Sequence, residues 1–96
     1  MEENVIKELD TLKGMLNNWK RGFLSWASPD GENEYVLQEF NEDIEMHVYP
    51  YVTRLREMKH LSNSEATEFM DYCYGQVEDL RDQLSKVETN ESKKEV

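Results

Sequence analysis

Apolar residues recur along this chain at alternating steps of four and three. The first run is Val5, Leu9, Leu12, Leu16, Trp19, Phe23 and Trp26; the second is Ile44, Val48, Tyr51, Leu55 and Met58; the third is Ala66, Met70, Cys73, Val77, Leu80, Leu84 and Val87. Each run is one stripe of an amphipathic helix. Three such stripes joined by two short polar connections predict an all-α fold, an antiparallel up-down-up three-helix bundle with coiled-coil-like packing. The expected helices cover residues 3–26, 34–60 and 63–87 within one domain over 1–88. Residues 89–96 carry no apolar period and are expected to form a disordered tail.

Local signals sharpen these boundaries. Gly14 and Gly22 lie inside the first helix at a cost of up to about 1 kcal/mol each, and Gly22 is an alternative early end. Ser28-Pro29-Asp30-Gly31 reads as a turn, and Asn33 as the N-cap of the second helix. Asn41 falls where that stripe, extended backwards, wants an apolar residue. Pro50 cannot donate to the carbonyl of Met46, and its ring crowds the same turn, so the second helix is expected to be kinked near Pro50, a full break being the alternative. Ser62-Asn63-Ser64-Glu65 matches a capping box for the third helix, with Leu61 and Ala66 placed as a hydrophobic staple.

A strict stripe also suits a two-stranded coiled coil, so the flanking residues decide. Ile6 and Met15, Phe40 and His47, and Phe69 and Tyr74 widen the three faces enough to touch two neighbours each. The flanks of Leu80, Leu84 and Val87 are polar, which predicts an end that protrudes or pairs with a second copy as a homodimer.

Charge then narrows the function. Among 96 residues, 21 acidic against 11 basic side chains give a formal charge of −10, which argues against direct nucleic-acid or anionic-membrane binding and for a partner protein with a basic surface. The acidic start Met1-Glu2-Glu3-Asn4 does not read as a signal peptide, no apolar run reaches the roughly 18 residues needed to span a bilayer, and a single cysteine excludes an intramolecular disulfide. A cytoplasmic location is the expectation. No motif for nucleophilic catalysis, phosphate cradling or metal ligation occurs, so neither an enzyme nor a cofactor is expected. His47 follows Asp43 by one turn, and a packed histidine is the simpler reading than a ligand. Cys73, on a core stripe, reads as an inert buried thiol.

From Gly22 to Thr53 there is no lysine or arginine, while Asp30, Glu32, Glu34, Glu39, Glu42, Asp43 and Glu45 are acidic. A solvated outer face explains such a block, and so does a docking surface. In an up-down-up bundle Trp26 lies near Tyr35 and this block, as a surface anchor or as a cap on the core. The expected function is a small non-enzymatic protein-protein interaction or regulatory module. Its candidate contact residues are Trp26, Tyr35, Glu39, Glu42 and Asp43, and mimicry of a nucleic acid to inhibit a DNA- or RNA-binding protein is the alternative.

Overall fold

The computed structural model describes residues 2–28 and 33–94, the last seven as backbone alone. Among the described residues every regular element is helical: α1 (Glu3–Ser25), α2 (Glu34–Asp43), a π-helical turn (Ile44–Val48), α3 (Tyr49–Glu57) and α4 (Asn63–Lys94). The protein is all-α. Its envelope measures 56 × 20 × 19 Å, and its long dimension matches α4, whose 32 residues extend about 48 Å.

Three helical runs result, because α2, the π-turn and α3 are continuous from residue 34 to 57. The π-turn is where Pro50 is accommodated. Tyr49 N–H donates to the carbonyl of Ile44, five residues back, and Pro50 then falls in the first turn of α3, where its missing N–H is least costly. The wider turn also resets the buried face. Phe40, Ile44, Val48 and Val52 are all buried at successive steps of four, followed by Leu55. Phe40 thus occupies the place where the stripe had pointed to Asn41. Tyr51, expected on the stripe, is only half-buried, and Met58 is 60% exposed because α3 ends at Glu57, three residues before the expected His60.

The core is filled from all three runs by Leu16, Phe40, Ile44, Val48, Cys73 and Leu80, none of which retains accessible surface. Ring and polar contacts fix the neighbours of each helix. Along α1, Glu8 accepts from the Tyr51 hydroxyl, Trp19 meets His47 edge-on at 6.4 Å, and Phe23 packs on Phe40 at 5.6 Å. On α4, Tyr74 donates to Glu45 at 3.3 Å and Arg81 pairs with Glu34 at 3.6 Å. Lys13 sits 4.8 Å over the ring of Tyr72, and Lys20 donates to both Gln76 (2.8 Å) and Asp79 (2.7 Å). Several expected face-wideners do not serve: Ile6, Met15 and His47 are exposed, whereas Phe40 and Phe69 are buried.

Helix ends follow local chemistry. The capping box is present in both directions, Glu65 N–H donating to Ser62 Oγ at 3.0 Å and Ser62 N–H to Glu65 Oε1 at 2.8 Å, with Leu61 and Ala66 buried as a staple requires. The bond from Ser62 N–H holds the Glu65 carboxyl below its ordinary range. Asn33 does not cap α2 with its side chain; its amide turns back on Ser28, accepting from the backbone N–H at 2.7 Å and donating to the carbonyl at 2.9 Å. The buried Asn33 thereby joins the two sides of the connection, whose Pro29-Asp30-Gly31 turn lies outside the described residues. Helix α1 continues past Gly22 to Ser25, and α4 runs to Lys94 rather than ending near Val87. No proline or glycine interrupts residues 76–94, so the backbone stays helical without an apolar stripe.

The end of α3 is a Schellman motif: His60 N–H bonds the carbonyl of Leu55 at 2.8 Å and Lys59 N–H that of Arg56 at 3.0 Å. Lys59 therefore adopts a left-handed conformation, φ 65°, at the position that usually holds glycine. Replacing Lys59→Gly is expected to stabilise the protein by about 1 kcal/mol and to raise Tm by roughly 4–8 °C in thermal circular dichroism. An unchanged or lower Tm would show that Lys59 makes compensating interactions.

Candidate partner-binding surface

The five candidate residues sit at the α1–α2 end of the molecule, in three different settings. Trp26 is the C-cap of α1, where its ring leaves the core side: it stays 64% exposed and touches Phe23 edge-on at 6.1 Å. Tyr35 is 51% exposed in the first turn of α2. Both aromatics are surface groups rather than core caps. Phe23 and Phe40 link their surroundings, since Phe23 contacts Trp26 on one side and Phe40, one turn beyond Tyr35, on the other. Glu39 and Glu42 follow Tyr35 at four and seven residues, so the three share one exposed face of α2. Asp43 departs from them: it is half-buried.

The acidic block is partly committed to internal contacts. Glu34 pairs with Arg81 and Glu45 accepts from Tyr74, whereas neither Glu39 nor Glu42 enters a salt bridge among the described residues. The outer face continues into Tyr49 at 48% exposure, which falls off the apolar stripe, and into Met46 at 68%, which the sequence does not single out. The bend expected at Pro50 takes the form of the π-turn Ile44–Val48 within this stretch.

Open grooves lie between the helices. One, of about 330 Å³, lies between α1 and the second run and is lined by Leu12, Thr11, His47 and Tyr51. His47 lies exposed on its edge against Trp19 and joins no carboxylate in a salt bridge among the described residues. Among the described residues no group of three His, Cys, Asp or Glu side chains is arranged to hold a metal ion, and no helix is long and apolar enough to cross a membrane. Burial pushes the Cys73 thiol up to about 12, opposed by the charge of Lys13, so the nucleophilic thiolate is scarce at neutral pH.

Comparison with known protein families, curated proteins and solved structures finds no match to this chain. The surface therefore has to be interpreted from its own chemistry.

Behind that surface, one polar cluster joins α1 to α4. Lys20, whose side chain is 15% exposed, donates to Gln76 and Asp79, and Gln83 donates to the same Asp79 oxygen at 2.7 Å. The Lys20 bond, then that of Gln83, holds the Asp79 carboxyl below the ordinary range. A depressed carboxylate stabilises the fold above its unfolded-state value, and that contribution disappears as pH falls through the folded value. Asp79→Asn should accordingly lower stability by about 1 kcal/mol at neutral pH, kept small by the carboxylate's partial exposure. In urea unfolding the gap between variant and wild type should close as pH falls below the ordinary aspartate range; a constant gap would assign the loss to shape instead of charge. A second outcome concerns Cys73: at pH 8 a disulfide reagent should label it roughly 1,000-fold more slowly in the folded protein than in urea. Equal rates would show an accessible thiol.

Proposed function

We propose that this chain is a non-enzymatic protein-protein interaction module, cytoplasmic and built on an antiparallel up-down-up bundle over residues 1–88 whose middle helix bends at the π-turn before Pro50. It binds a partner protein carrying a basic surface. The exposed pair Trp26 and Tyr35 beside Glu39 and Glu42 is the observation that carries this reading. Large aromatic rings left in water at one end of a molecule supply a desolvating anchor, and unpaired carboxylates next to them supply steering and orientation. Asp43, half-buried, contributes to the local potential rather than to direct contact.

The bundle reading is supported by the order of contacts. Glu8, Trp19 and Phe23 of α1 meet Tyr51, His47 and Phe40 in descending order, while Lys13 and Lys20 meet Tyr72 and Asp79 in ascending order. Descending order is antiparallel pairing and ascending order is parallel, as the first and third helices of such a bundle must be. The absence of any cation between Gly22 and Thr53 favours the second reading, mimicry of a nucleic acid.

The two modes differ in what carries affinity. In affinity capture from source lysate, Trp26→Ala is expected to weaken a salt-resistant partner by about 2 kcal/mol, roughly 30-fold, while circular dichroism stays unchanged. A nucleic-acid-binding partner that is lost at high salt and indifferent to Trp26→Ala would replace this reading with mimicry.

A further inference from the structure

We propose that the outward face of the α2–α3 run is self-complementary and takes a second copy of this chain, packed antiparallel as a two-fold symmetric dimer. The basis is the order of exposed side chains about Met46. The core claims Val36, Leu37, Phe40, Ile44, Val48, Val52 and Leu55, which leaves the opposite side of the run to solvent. Met46 is its most exposed apolar residue, at 68%. Tyr35 lies eleven residues before Met46 and Glu57 eleven after, and all three are exposed, which sets them at nearly equal distances of about 16 Å to either side of the methionine. Glu39 precedes Met46 by seven residues and Arg54 follows by eight, which puts carboxylate and guanidinium at nearly equal distances from it. Glu39, Arg54 and Glu57 are all exposed, and none enters a salt bridge among the described residues.

A two-fold axis at Met46 makes this order matter. Met46 meets Met46 of the second copy at the centre, giving the apolar contact. Glu39 meets Arg54 of the second copy, and by symmetry Arg54 meets its Glu39, so the charge pair occurs twice. Tyr35 faces Glu57 of the second copy at both ends, a hydroxyl donor against a carboxylate acceptor. Parallel packing in the same register would set Glu39 on Glu39 and Arg54 on Arg54, and symmetry then doubles a repulsion instead of an attraction. The formal charge of −10 per chain opposes any self-association, so the dimer is weak and depends on these local pairs. This inference rests on the reading above only in taking the α2 face as a binding surface; Trp26 has no part in it.

Sedimentation equilibrium of the full chain between about 5 μM and about 1 mM tests the proposal. The expected weight-average mass rises with concentration from the 11.4 kDa of one chain towards twice that value. Glu39→Arg and Arg54→Glu should each weaken association at least tenfold, and Met46→Glu likewise, with helical content unchanged because all three positions are exposed. The double variant Glu39→Arg/Arg54→Glu should return to within about threefold of wild type, as should an equimolar mixture of the two single variants, since both restore opposite charges at both sites. A monomer at every concentration overturns the proposal, as does a dimer indifferent to the single substitutions, or single-site losses that the double variant does not recover. None of these outcomes alters the effect of Trp26→Ala on a heterologous partner, so the two readings fail separately.

Discussion

Burial of Phe40, Ile44, Val48 and Val52 at uninterrupted steps of four is the constraint around which the structure is organised. Four residues of α-helix overshoot one turn by about 40°, and three such steps in succession would swing Val52 roughly 120° away from Phe40. The π-turn at Ile44–Val48 takes more residues per turn and cancels most of that drift. It falls directly before Pro50, whose ring and missing donor forbid an ordinary turn there in any case. One local irregularity satisfies both demands. Leu16 from α1 and Cys73 and Leu80 from α4 then close on a straight apolar line, all three losing the whole of their accessible surface.

What could be read from the sequence follows from how local each determinant is. The capping box at Ser62 and Glu65 was legible because both partners lie within three residues and their chemistry admits little else. The stripe of α4 was legible for a related reason: Ala66, Met70, Cys73, Val77, Leu80 and Leu84 keep strict four-three spacing across Gly75, and all are buried. The left-handed turn at Lys59 carried no such mark, since glycine is the usual signal and lysine is not. Asn33 was recognised as a residue with a structural task, but whether its amide serves the helix or the preceding loop depends on how the chain returns to Ser28, which is tertiary information. Met58 failed for yet another reason. The stripe carries no mark of where α3 stops, and the chain leaves the helix at Glu57, directly before Met58.

The candidate surface was legible in composition more than in geometry. Absence of cations from Gly22 to Thr53 pointed to α2, and Trp26, Tyr35, Glu39 and Glu42 are indeed exposed there. Sequence alone could not divide the carboxylates into those already used and those left over. Glu34 and Glu45 serve contacts with α4, whose Arg81 and Tyr74 come into reach only after folding. Met46 lies two residues from both Ile44 and Val48, which puts it opposite the stripe on any helical pitch. A methionine left in water beside carboxylates is an adaptable apolar contact, softer than an aromatic ring and tolerant of imperfect fit.

On the two proposed readings the same face takes two kinds of contact, and these are thermodynamically linked. Glu39 and Glu42 lie where a basic partner would be steered, and Glu39 also lies opposite Arg54 of a second copy in the antiparallel arrangement. Any chain held in such a dimer has its acidic face covered. The affinity of a heterologous partner is then reduced by the fraction of chains remaining monomeric, a penalty that grows with concentration. Trp26 has no part in the proposed dimer contact, so on these readings its contribution would survive dimerisation while that of the carboxylates would not. Steering and anchoring therefore respond to different variables on one small surface: the carboxylates to the concentration of the chain itself, the tryptophan to the partner alone.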